Sequence, residues 1–171
     1  MRTSLMVIPV FIAPVLLFAS QAQSEKWRRV YTSSESIIEI DISSVTFTAN
    51  NVNHTINFGA PHTGRVKFRT VFSKPQLLDK NSSLGYKTSL ETYEFRCDTD
   101  PRIIKSPAEP NNPPLRPIAY RLYAATFLGS DDKAIGHRQD VSDWKSIRSG
   151  NVMDKLGIAA CALIENSRRT P

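Results

Sequence analysis

Polar and apolar residues alternate through much of this chain, and a period of two predicts β-strands with one wet face. Trp27 to Tyr31 is the first short candidate. From Ser36 to Ile42, Ile38, Ile40 and Ile42 share one face, with Glu39 and Asp41 on the other. Val45, Phe47 and Ala49 continue at period two, and Val52, His54, Ile56 and Phe58 follow a turn at Asn50-Asn51. The clearest strand runs from Gly64 to Ser73, with Val66, Phe68, Thr70 and Phe72 inward and Arg65, Lys67 and Arg69 outward. Tyr86 to Cys97 is a long strand in which Tyr93, Phe95 and Cys97 share a face. Leu90 has the opposite parity, which predicts a bulge or a change of buried face. Ala119 to Leu128 is apolar on both faces and predicts a central strand.

The connections are equally legible. Gly59 to Gly64 and the polar, proline-containing stretch Lys74 to Gly85 predict loops. Six prolines between Pro101 and Pro117 predict an extended polar connection, and Gly129 to Asp140 a charged turn. The period then changes to that of a helix: Val152, Leu156, Ala159, Ala160 and Leu163 form a stripe, with Ser149, Gly150 or Asn151 as its cap. Gly157 inside it weakens the helix by about 1 kcal/mol relative to alanine. The pattern predicts an α+β domain: one antiparallel sheet with a C-terminal helix packed on one face.

An apolar run at the start changes what belongs to that domain. Arg2, the stretch Leu5 to Phe18 and small residues at Ser20 and Ala22 have the order of a cleaved export signal over residues 1–22. The run is short, and carries two prolines, for a span that needs roughly 20 apolar residues. The remaining residues, 23–171, suffice for one domain with its own core. No cysteine lies near the cleavage point, so the expected location is periplasmic, secreted or at the cell surface without a lipid anchor. No later segment is apolar enough to span a membrane.

Cysteine usage agrees with export. Cys97 and Cys161 are the only two thiols, both downstream of the signal, and an even count in an oxidising compartment predicts one disulfide. Closing a loop of this length is worth roughly 4 kcal/mol in the chain-entropy model.

Formal charge is +6, or +5 once Arg2 is removed, and the cations are spread along the chain. This suits acidic surfaces or plain solubility; nucleic acid is not expected. The densest groups are Lys26, Arg28 and Arg29, then Arg65, Lys67 and Arg69. The latter three are the candidate binding surface, against the alternative that charge protects a sheet edge. Trp27 and Trp144 are expected to be structural aromatics, Trp144 plugging a sheet edge. Catalytic and metal chemistry find little support. His54, His62 and His137 have no ligand spacing, no nucleophile elbow or phosphate loop occurs, and Asp98, Asp100, Asp131 and Asp132 suit solvated turns. No catalytic residue, metal or cofactor is expected. Asn53-His54-Thr55 and Asn81-Ser82-Ser83 match the N-glycosylation pattern, which matters only in a eukaryotic source.

Trp27, the segment ending at Asp41, Tyr93-Glu94-Phe95-Arg96-Cys97, a Tyr-containing strand, Trp144 and a helix carrying Cys161 come in a telling order. That order resembles the bacterial surface-adhesin protein E family of small exported Gram-negative proteins. The resemblance implies a sheet covered by a C-terminal helix and fastened by Cys97–Cys161. It also implies a binding protein that engages host extracellular protein or, given the charge, an anionic envelope glycan. The chain departs from the family in lacking a lipidation cysteine and in its Pro-rich insertion. The alternative is a structural or assembly component of the envelope, dimerising through an open sheet edge.

Overall fold

The computed structural model describes residues 25–47, 62–79, 83–99 and 115–169. The expected export signal, the strand expected around His54, Asp100, most of the Pro-rich connection and the asparagines of both glycosylation motifs lie outside the described residues. The elements are β1 (Trp27–Thr32), β2 (Ser36–Asp41), β3 (Thr46–Phe47), β4 (His62–Leu77), β5 (Gly85–Thr99), β6 (Leu115–Leu128), β7 (Ala134–Arg138), β8 (Lys145–Ser146) and α1 (Val152–Arg169). The strands form one antiparallel sheet in the order β1-β2-β4-β5-β6-β7, with β3 paired to β4 and β8 to β6. The α+β architecture expected from the alternation is the observed one.

Register explains which residues meet the helix. Ile40 lies opposite Phe68, Val66 opposite Tyr93, and Phe95 opposite Tyr120, so these side chains share one face. Helix α1 lays Leu156, Ala160, Cys161 and Ile164 on that face, and Ile40, Val66, Phe68, Phe95 and Ile164 lose all solvent contact. Fully burying an aliphatic or aromatic side chain contributes about 1.5–3 kcal/mol. Phe68, Tyr93, Phe95 and Tyr120 stack edgewise or tilted across three strands, with centroids 6.0–6.4 Å apart.

The helix starts where its cap residues dictate. Asn151 Oδ1 accepts the Asp154 N–H at 2.8 Å, and Asp154 Oδ2 accepts the Gly150 N–H at 2.7 Å. This reciprocal arrangement satisfies orphan donors of the first turn. Gly150 takes the left-handed φ of 83°, where a side chain is disfavoured. Two further glycines serve close approach. A Cβ at Gly64 would lie 2.7 Å from Ile164, and one at Gly157 only 2.5 Å from the Pro117 ring. Cys97 and Cys161 are fully buried and bonded, with Cα atoms 5.7 Å apart. The strand thus holds the helix one turn beyond Gly157. Among the described residues no helix is long and apolar enough to cross a membrane.

Several local expectations are corrected. The segment Lys74 to Gly85 is not all loop: β4 continues through Pro75 to Leu77, and Leu77 pairs with Gly85. His62 opens β4 instead of lying in a loop, because it pairs with Cys97. The Gly129 to Asp140 stretch contains β7, which pairs with β6 and places His137 beside Thr126. Pro117 belongs to β6, at a register shift opposite Arg96 and Cys97, where a missing N–H is tolerated. Between Leu90 and Tyr93 the expected irregularity occurs against β6, between Thr92 and Tyr93, and not against β4. The β4–β5 register is continuous from His62 to Val71, and Leu90 points to the helix-free face opposite Arg69.

Candidate binding surface

Because β-strand side chains alternate, burying Val66 and Phe68 under the helix forces Arg65, Lys67 and Arg69 onto the opposite face. The structure therefore brings the three predicted cations together on β4. It also removes the alternative given for them, since β4 lies between β2 and β5 and is not an edge strand.

The three are not bare charges. Arg69 donates from Nε and Nη2 to Glu39 Oε2 at 2.8 and 2.6 Å, across the β2–β4 pair where the two residues are in register. Lys67 Nζ donates to Glu25 at 3.0 Å. Arg65 lies 3.5 Å from Glu94, which also accepts a hydrogen bond from Arg121 Nε at 2.6 Å. Glu94 is 2% exposed. A carboxylate so buried is retained where paired cations repay its desolvation. Register again sets the arrangement: Arg65, Glu94 and Arg121 are opposite one another on β4, β5 and β6.

Aromatic rings complete the face. The Arg69 guanidinium lies 4.5 Å over Trp27, and that of Arg65 3.7 Å over Tyr123. Arg96 and Arg121 both stack on Trp144, at 4.1 and 4.6 Å. Each contact is worth about 0.5–1 kcal/mol when exposed and more when desolvated. Trp144 thus packs under two arginines of the sheet's open face, next to the short strand β8 that flanks β6. Tyr123 and Arg121 were not singled out by sequence. A register shift between Thr92 and Tyr93 inserts the extra β6 residue that brings Tyr123 beside Arg65; the parity change after Leu90 marks that interval on β5, but nothing on β6 points to Tyr123.

A cleft of about 460 Å³ opens on this face between the turn after β2 and the surface of β4, β5 and β6. Its wall is fixed by Asp41. That carboxylate accepts the Ser43 hydroxyl at 2.6 Å and the backbone N–H groups of Ser43 and Lys26 at 3.0 and 3.2 Å. Burial opposes ionisation, but these donors and the nearby Lys67 charge outweigh it and hold the Asp41 pKa below its ordinary value. Ser44 Oγ donates to the Asp41 carbonyl at 2.8 Å and accepts the Lys67 N–H at 2.9 Å, tying the turn to β4.

The helix side of the sheet carries a different polar group. Glu91 accepts a hydrogen bond from the Tyr93 hydroxyl at 3.0 Å. Burial raises the pKa of Glu91, and burial next to that carboxylate raises that of Tyr93.

The remaining candidates stay apart. His62 and His137 lie on separate strands; His137 Nδ1 is 2.9 Å from the Thr126 hydroxyl. Asp98 is part of β5, and Asp131 pairs with Lys133 at 3.2 Å in the turn before β7. Among the described residues no three His, Cys, Asp or Glu side chains gather as metal ligands. No family model matches the chain, and comparison with curated proteins and with solved structures finds no significant match.

Proposed function

We propose that this chain is an exported envelope binding protein without catalytic activity, and that it engages a macromolecular partner through the helix-free face of its sheet. One observation carries this reading. That face presents guanidinium groups already stacked on Trp27, Tyr123 and Trp144 and anchored by buried or half-buried carboxylates. Arginine, tryptophan and tyrosine are the side chains that dominate interface energetics. Holding them in place beforehand reduces the ordering cost of association. The disulfide fits an oxidising location. The order of Trp27, Cys97, Trp144 and Cys161 resembles the surface-adhesin protein E family, which supports an adhesin-like role at the envelope.

Two measurements test it. Fractionation of cells exporting the full chain, with protease added outside, separates surface display from periplasmic retention. Surface plasmon resonance then compares the oxidised chain with Trp144→Ala and Arg69→Glu over immobilised polygalacturonate and extracellular-matrix protein. Loss of about tenfold or more in either variant supports the face as the contact. Unchanged binding in both overturns it and favours an assembly component of the envelope.

A further inference from the structure

We infer that the cleft beside β3 is a subsite for one acidic sugar unit of a glycan, its carboxylate or sulfate held by Lys67 and Arg65. The inference rests on the proposed binding role of this face and names its ligand.

The cleft is bordered by two of the cations of this face. Arg65 and Lys67 line it, and among the described lining residues there is no acid. Glu94 approaches Arg65 from the β5–β6 side and Asp41 is spent on Ser43 and Lys26, so neither lines the opening. Lys67 gives one of its three donors to Glu25, whose side chain is 45% exposed; an exposed pair of this kind is worth little and is easily exchanged. The lining hydroxyls of Thr46, Thr92 and Tyr123 make no hydrogen bond among the described residues.

These groups select a ligand class. Two cations call for an anion, and charge-assisted bonds to it are the strong ones. Three hydroxyls without a partner among the described residues both donate and accept, which matches the ring hydroxyls of a sugar. The volume of about 460 Å³ falls within the roughly 300–1,000 Å³ of ligand pockets and far exceeds a lone oxyanion. Tyr123 is already stacked under Arg65, which leaves no open platform for a nucleobase.

The test is titration of the oxidised chain with a galacturonic acid trisaccharide, a sulfated heparin disaccharide, maltotriose and inorganic sulfate, followed by backbone amide NMR. One of the two acidic sugars is expected to bind at least about tenfold more tightly than maltotriose; which one does so separates a carboxylate from a sulfate ligand. Shifts should gather at residues 43–46, 65–67, 92 and 123–124. Lys67→Met is expected to lose about tenfold and Thr92→Val several-fold. Native-like spectra of the variants distinguish lost contact from lost fold, and the wild-type shift map does not depend on either. Equal binding of maltotriose, equal binding of inorganic sulfate, or shifts elsewhere would overturn the assignment. If no acidic sugar binds while Trp144→Ala still weakens macromolecular binding, the subsite fails and the wider reading stands. A host extracellular protein bound through the same face would then be the partner class.

Discussion

Gly157→Ala sets helix propensity against packing within one residue. Intrinsic preference favours alanine by about 1 kcal/mol in a helix interior. Gly157 is buried, however, and a Cβ there would lie 2.5 and 2.8 Å from the Pro117 Cβ and Cγ and 3.3 Å from Ile147. Carbon atoms prefer about 3.5–4.0 Å, so helix and strand must separate by about 1 Å. The proline ring has no rotamer to yield and its backbone belongs to β6. One turn further on, Cys161 is tied to Cys97 with the Cα atoms 5.7 Å apart, which restrains any shift of the helix. Overpacking of a rigid contact costs about 1–3 kcal/mol. After the roughly 1 kcal/mol gained in propensity, net destabilisation of up to about 2 kcal/mol is expected, or a fall in Tm of up to about 8 °C for a domain of this size. Thermal unfolding followed by far-UV circular dichroism measures it. Ala162→Gly, at an exposed position of the same helix, isolates propensity and should itself cost about 1 kcal/mol. If Gly157→Ala raises Tm as far as Ala162→Gly lowers it, the close approach to Pro117 does not constrain the fold.

Four further outcomes follow from the same geometry. Glu94→Gln leaves Arg65 and Arg121 without their shared carboxylate and should cost about 2–3 kcal/mol in urea denaturation, since hydrogen bonds to charged groups are each worth about 1.5–3; a loss below about 0.5 would show that the guanidinium groups rehydrate freely. Reduction of Cys97–Cys161 should lower stability by roughly 4 kcal/mol, read as a drop in urea midpoint that a Cys97→Ala/Cys161→Ala chain reproduces. The carboxyl of Glu91, raised above 4.5 by burial, favours the folded state below that value, and the contribution is lost as pH rises through the folded pKa. Glu91→Gln should therefore match the native chain in acid and exceed it at neutral pH, whereas a constant difference across the range would remove Glu91 from the account. Asp41 has the opposite sign: its pKa is lowered below 3.8, so its contribution disappears as pH falls through the folded value.

How far the fold was legible depends on what each residue reports. Alternation through Val66, Phe68 and Thr70 carries both strand and face, because one side is buried and the other is wet. The helix was equally plain from Leu156, Ala160 and Leu163 at helical spacing. The misread segments are those where composition opposes pairing. Pro75 and Pro117 argue against strands, yet one lies in the irregular stretch between Val71 and Gln76 and the other at a register shift. Gly136 and the charges around it suggest a turn, but the edge of β6 offered unpaired backbone groups that β7 satisfies. Backbone pairing is a property of two strands, and one-dimensional composition sees only one of them.

The binding face illustrates that limit more sharply. Period two put Arg65, Lys67 and Arg69 on one side, and charge alone then implied a positive field. Their partners lie at sequence separations of 29, 42 and 30 residues, distances at which nothing in the chain announces a pairing. Once β2, β4, β5 and β6 are in register, Glu39, Glu94 and Arg121 fall beside them and the field becomes a lattice of opposite charges and rings. A lattice of that kind has little long-range attraction at physiological salt, where screening acts over about 8 Å. Its contribution to binding is then local and geometric, through arginines held in fixed positions. Binding of a macromolecule through these arginines should therefore weaken only modestly with added salt, unlike an anion at the Lys67 cleft, and strongly on loss of Trp144, the ring that orients both Arg96 and Arg121.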